Sequence, residues 1–169
     1  MLKVTRKTKQ VEIILDQELS ERIAALGDQL SRELTAEQVT EAGTNTAAKR
    51  TAKRIEELKE QAKDSTLILT LRAMPVSKWA QTLAANTVTA GNAAGTRDMF
   101  GTAADALPQM LESATIGGKP ADPADLTKEA LRDLFDQLTD GQFTPLWQAI
   151  AELNGTAADP KAAFDLASK

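Results

Sequence analysis

The chain of 169 residues has no cysteine, no histidine and no tyrosine, and only two tryptophans and four phenylalanines. Each absence removes a class of chemistry. Without cysteine there is no disulfide, no thiol nucleophile and no thiolate metal site, a usage that agrees with a reducing cytosolic compartment. Without histidine the commonest general base and the commonest metal ligand are both missing. With so few aromatics, the apolar fraction of 42% rests largely on alanine and leucine. That composition predicts a thin, Leu-rich, helical core rather than a deep aromatic-lined ligand pocket. Long hydrophobic runs are absent too. The aliphatic stretches at 13–15 and 67–69 fall far below the roughly 20 residues of a membrane span. The opening MLKVTRKTKQVEIIL is basic and then apolar, but its apolar part is only about five residues and contains Glu12, too short and too polar for a signal peptide.

What is present reads as short strands and amphipathic helices. Val11, Ile13 and Leu15 alternate with Glu12 and Ile14, the period of a strand. Asp16 offers an N-cap, and Leu19, Ile23, Leu26, Leu30 and Leu34 form one apolar stripe on a helix of about five turns. Gly43 with Thr44, Asn45 and Thr46 predicts a turn. A second helix is expected over 47–62. Ala48, Ala52, Ile55, Leu58 and Ala62 lie on one side, with Lys53, Glu57, Lys59, Glu60 and Lys63 on the other. Its shallow apolar face matches the leucine stripe, so the two helices form an antiparallel αα-hairpin. Leu67, Leu69 and Leu71 then make a second strand, ended by Pro75. A hairpin returns the chain near its departure point with direction reversed, so this strand is expected to pair antiparallel with the first.

The second half reads as helices. Residues 77–86 carry Trp79 and Leu83 one turn apart, and 87–101, rich in Gly, Asn, Ala and Thr, reads as a loop. Helical spacing resumes over 100–114 through Phe100, Ala104, Leu107, Met110 and Leu111, with Pro108 a kink or an end. IGGKPADPAD reads as a loop, and Thr127 caps a helix over 128–138 with Leu131, Leu134, Phe135 and Leu138 on one face. The last helix has two starts on offer: Thr139 with Gln142 as a capping box, or Thr144 followed by Pro145. The second is favoured, which makes Asp140, Gly141 and Gln142 a structural corner before a helix that buries Leu146, Trp147, Ile150 and Leu153 and stops at Gly155. Trp79 and Trp147 read as core anchors whose truncation would cost about 3 to 5 kcal/mol if fully buried. The fold class is therefore mainly α: a helical bundle with a small two-stranded antiparallel β ribbon at the base of a protruding αα-hairpin. Residues 1–72 form the strand–hairpin–strand unit, 73–155 a C-terminal helical domain, and 156–169 a tail or docking segment.

No residue pattern spells a reaction. Lys49, Arg50, Lys53 and Arg54 have the spacing of a nucleic-acid-facing helix, but Glu56, Glu57 and Glu60 supply intrahelical partners, no aromatic interleaves, and the net charge is −4. Lys3, Arg6, Lys7 and Lys9 sit beside the first strand, where lysines usually prevent edge-to-edge pairing. Asp122, Asp125, Glu129, Asp133, Asp136 and Asp140 read as solvated helix charges rather than a metal or acid/base pair. GNAAG and IGGK lack the strand-before, helix-after setting of a phosphate loop. No catalytic residue, metal ligand or cofactor is expected, nor any membrane or nucleic-acid partner.

One order of segments is more specific. A short strand enters a charged helical hairpin. A strand then closes on Leu71-Arg72-Ala73-Met74-Pro75 before the helix with Trp79 and Leu83. Phe100 precedes Leu107-Pro108, and Thr139-Asp140-Gly141-Gln142-Phe143 precedes the last helix. Over residues 11–154 the chain resembles the tail assembly chaperones of long-tailed phages and prophages of actinobacteria. It departs from them at Ala84-Ala85-Asn86 and Thr96-Arg97-Asp98, where family members often carry His-Pro-Pro-like and Asn-Pro-Glu-like stretches. The resemblance implies a non-enzymatic protein of the host bacterial cytoplasm that binds the helical tape-measure protein and keeps it soluble while tail-tube subunits assemble. The tail-tube protein and further copies of the chain are additional candidate partners. The expected contact residues are Leu19, Ile23, Leu26, Leu30, Ile55 and Leu58 on the hairpin, or the surroundings of Trp79 and Trp147. The alternative is a structural subunit of a phage tail or head–tail connector.

Overall fold

A computed structural model of the chain describes residues 1–39, 46–155 and 160–168. The turn expected at 43–46 lies almost entirely outside the described residues, as do residues 156–159 and 169 of the expected tail. Among the described residues the protein is mainly helical, with seven α-helices and one four-stranded antiparallel sheet in the order β1-β2-β3-β4.

Strand β1 (Thr8–Ile14) pairs antiparallel with β2 (Thr66–Arg72), from Thr8 opposite Arg72 to Ile14 opposite Thr66, as the alternation of both segments predicts. Between them run α1 (Gln17–Val39) and α2 (Thr46–Ala62). Asp16 caps α1, its Oδ1 accepting from the Leu19 N–H at 3.0 Å. The two helices are antiparallel neighbours. Ile23 and Ile55 line one cavity near the strands, while further out Gln29 Nε2 reaches Thr51 Oγ1 at 3.4 Å. A 3-10 turn over Lys63–Ser65 brings α2 back into β2, and the Leu15 N–H bonds the Ser65 carbonyl at 2.8 Å to close the root.

The two-stranded ribbon is a correction: β2 also pairs on its other side with β3 (Leu111–Ile116), which turns into the two-residue β4 (Lys119–Pro120). The helix expected over 100–114 is α4 (Met99–Met110), and it gives way directly to β3. The helical spacing of the preceding turns ran on through Leu111, and LESATI has too few apolar residues to announce a strand. The stronger signal was Gly117-Gly118, with φ of +59° and +76°. Two successive left-handed residues make the two-residue hairpin turn whose twist suits a β-ladder, and glycine adopts them without penalty. A register shift between Thr70 and Leu71 brings Leu111 opposite Leu71. Leu111 thereby stays half-buried while Glu112 faces out to pair with Arg72.

One face of the sheet carries Val11, Ile13, Leu67, Leu69 and Leu71, all buried. Against it pack α4, α5 (Lys128–Phe135) and α6 (Asp140–Gly155), with α3 (Val76–Ala85) alongside α4. The core thus draws on both sides of residue 72. Its centre is α4, where Gly101, Thr102, Ala103, Ala104, Ala106, Leu107 and Met110 are all buried. Small side chains let neighbours approach this helix from several directions, and a helix apolar on all sides belongs in a core. Helix α7 (Pro160–Ala167) is exposed along its length.

The last helix begins at its other candidate start, a second correction. Asp140, Gly141 and Gln142 are the first turn of α6 rather than a corner ahead of it. The capping box forms: Gln142 Oε1 accepts from the Thr139 N–H at 2.9 Å. Pro145 then lies inside the helix and leaves the Gly141 carbonyl without its usual N–H. This loss is tolerable in the first turns, where the cap has already fixed the entry.

Candidate partner-binding groove

The sheet's second face is where the hairpin meets the strands, and there the packing is open. A groove of about 430 Å³ is lined by Ile14 of β1, Thr66 and Ile68 of β2, Ile23 of α1 and Ile55 of α2. Its rim is charged, with Glu12, Glu56 and Glu60 against Lys59 and Lys63. The four isoleucines are half-buried, neither sealed in the core nor standing free in solvent. Local structure explains the gap. The Asp16 cap starts α1 only two residues after β1, and Ala62 ends α2 by accepting the Ser65 and Thr66 hydroxyls at 3.0 and 2.8 Å. Both helices therefore leave at the same end of the sheet, and the second face beneath them is left incompletely covered.

Of the residues expected to meet a partner, Ile23 and Ile55 come together in this groove. Leu58 is 1% exposed and belongs to the interior of the hairpin, so it cannot contact a partner without rearrangement. Leu19, Leu26 and Leu30 are half-buried along α1. Trp79 and Trp147 are half-buried against the main core on α3 and α6, and neither lines any of the three cavities described here. Gln142 is buried and structural: its Nε2 donates to the Ile14 carbonyl at 2.7 Å.

Sequence reading missed Ile14 and Ile68 as site residues, although a signal was present. Each breaks the strict alternation of its strand with an apolar residue on the face expected to be polar, and strands apolar on both faces are covered on both. Two other cavities differ in character. One of about 320 Å³ is lined by Leu15 just after β1, Leu67 and Ile116 of the sheet, and Leu126 and Leu134, together with Asp125 and Asp133. One of about 360 Å³ is polar and lined by Arg6, Arg72, Gln109 and Glu112.

Among the described residues no group of three acidic side chains is arranged to hold a metal ion, and no helix is long and apolar enough to cross a membrane. Asp122 caps the 3-10 turn Pro123–Leu126 by accepting from the Ala124 N–H at 2.9 Å, and Asp98 caps α4 by accepting from Gly101 N–H at 2.9 Å. Arg54 pairs with Glu57 at 3.3 Å on α2, so part of the basic cluster is met within its own helix. No protein-family model matches the chain, and no curated protein or solved structure does either.

Proposed function

We propose that the protein is a phage tail assembly chaperone that binds the tape-measure protein and keeps it soluble until tail-tube subunits enclose it. The observation that carries the reading is the groove at the root of the hairpin, with an isoleucine floor and a rim bearing both charges. A helical client presents apolar side chains at i, i+3, i+4 and i+7 flanked by charged ones, and a groove of this chemistry takes such a face without any reaction chemistry. The identity of the client comes from the resemblance in residues 71–75, 100–108 and 139–143. Those motifs serve the scaffold: Met74 is buried and its N–H bonds Asn154 Oδ1 at 2.7 Å, and Gln142 ties α6 to β1.

Co-expression with a tape-measure protein is the test. Soluble client should rise with the wild-type chain, and Ile23→Asp or Ile55→Asp should abolish the gain while the variants stay folded, because both positions are half-buried. No gain in client solubility sinks the proposal. Recovery of the protein from mature virions would instead favour a structural subunit, since a chaperone departs before the particle is complete.

A further inference from the structure

The free edge of β1 carries an inference that does not depend on the chaperone reading. The Ala73 N–H bonds the Lys7 carbonyl at 3.0 Å and the Leu15 N–H bonds the Ser65 carbonyl at 2.8 Å, so the odd-numbered residues of β1 direct their backbone groups at β2. The even-numbered ones face the other way. Ile14 shows it, its carbonyl taken from outside by Gln142. For Thr8, Gln10 and Glu12 no described residue takes the outward N–H and C=O groups. Ahead of them Met1, Leu2 and Val4 are almost wholly exposed.

Such an edge is a template for a further strand, and lysines usually guard against that. Here two of them are turned aside: Lys7 Nζ donates to the Glu152 carbonyl at 3.2 Å and Lys9 pairs with the Glu152 carboxylate, both toward α6. Along one face the strand's own sequence is complementary to itself. When two copies are laid antiparallel with Lys9 on the dyad, Val4 of one faces Ile14 of the other, Arg6 faces Glu12 once its guanidinium leaves the Ala73 carbonyl to which it donates at 3.4 Å, and Thr8 faces Gln10. An apolar, an ionic and a polar pair then fall on one face, each occurring twice by symmetry, while on the other face Lys9 meets Lys9, each ammonium already held by the Glu152 carboxylate of its own chain. Gln142 already holds the Ile14 carbonyl, so the ladder runs from Arg6 to Glu12 and the Val4–Ile14 pair closes its end as a side-chain contact. We infer that β1 docks a second copy of this chain edge to edge, joining two four-stranded sheets into one continuous sheet through reciprocal Arg6–Glu12 pairs.

Sedimentation of the full chain across a wide concentration range from low micromolar tests this. The wild type should show a reversible monomer–dimer equilibrium. Glu12→Arg or Arg6→Glu alone turns two attractive pairs repulsive and should weaken the dimer by about tenfold or more, whereas the double exchange R6E/E12R should restore it. Gln10→Pro removes an N–H that the β1–β2 ladder does not use, so it should keep the monomer's circular dichroism and lose the dimer. A wild type that stays monomeric throughout, a dimer unaffected by both single reversals, or folded double variants that remain monomeric would each overturn the inference.

Discussion

Gln142 Nε2 donates to the Ile14 carbonyl at 2.7 Å, joining the first turn of α6 to the last residue of β1 across 128 positions of sequence. The same side chain accepts from the Thr139 N–H at 2.9 Å and the Thr139 hydroxyl at 3.2 Å, so one buried amide caps a helix and fixes a strand end together.

Replacing Gln142 separates these tasks. Gln142→Ala removes donor and acceptor and should cost about 2 kcal/mol, the scale of leaving buried partners unsatisfied. Gln142→Glu keeps an acceptor for Thr139 but turns a carboxylate toward the Ile14 carbonyl, so it should be the worse of the two at neutral pH. Denaturant unfolding of the three proteins ranks them, and a Gln142→Glu protein as stable as wild type would contradict the arrangement.

Trp79 and Trp147 are the residues that composition marks as anchors, yet burial points elsewhere. Both tryptophans are half-buried, while Ile150 and Leu107 are at most 1% exposed. Ile150→Ala or Leu107→Ala should cost about 3 to 5 kcal/mol, and Trp147→Ala about 2, because the exposed part of a side chain contributes little to transfer and leaves no closed cavity. Thermal unfolding of the three alanine variants checks the order. A tryptophan variant less stable than Ile150→Ala overturns it.

How far the fold could be read from the residues follows from which interactions are local. The Asp16 and Thr127 caps, the hairpin stripe from Leu19 to Leu30 and the pairing of β1 with β2 rest on spacing within a few turns or on the geometry of an out-and-back connection, and they were legible, whereas Leu34 at the end of the stripe is exposed. Strand β3 was not, because its ladder to β2 is a long-range partnership and its own six residues are weakly patterned. Alanine misled as well. Ala103, Ala104 and Ala106 look like helix-forming filler, but they are wholly buried because α4 is where sheet and helices converge most closely. Half of the groove was legible through Ile23 and Ile55. Ile14 and Ile68 were treated as the polar side of their strands, since strand alternation says which face a residue takes but not what covers it.

Gly101 is held by the loop that precedes it. Asp98 Oδ1 accepts from its N–H at 2.9 Å, Asp98 also pairs with Arg132 at 3.3 Å, and Asn86 bonds Asp105 at 3.1 Å. A Cβ at Gly101 would lie 2.5 Å from Asp98 Oδ2 and 2.7 Å from Asn86 Oδ1. Alanine gains about 1 kcal/mol of helix propensity over glycine, but displacing the cap loses about as much and disturbs two further contacts. The clash should win. Gly101→Ala is expected to lower stability by about 1 to 2 kcal/mol and to speed limited proteolysis within residues 87–97, where wild type is closed by the Thr87–Arg97 bridge and the Val88–Thr96 hydrogen bond. Unchanged cleavage in that stretch would show that the loop does not depend on the cap.

Glu33 gives the hairpin a pH dependence of definite sign. Its carboxyl is held below the usual carboxylate range, first by the Gln29 amide, which donates to Oε1 at 2.7 Å, then by the Thr51 hydroxyl of α2, with Arg32 and Arg50 adding in the same direction and desolvation opposing them. A carboxyl whose folded value is depressed stabilises the folded state fully above its unfolded value, and that stabilisation is lost as pH falls through the folded one. The α1–α2 packing should therefore loosen on acidification below about pH 4 and be indifferent to pH between about 6 and 8. Hydrogen exchange in α1, compared between wild type and Glu33→Gln, reads the effect at the hairpin itself. Protection in the wild type should fall through the acid window more steeply than in the glutamine variant, which keeps an acceptor for Gln29 but has no charge to lose. Parallel acid profiles in the two proteins would show that the contacts around Glu33 do not couple its ionisation to the packing of the hairpin.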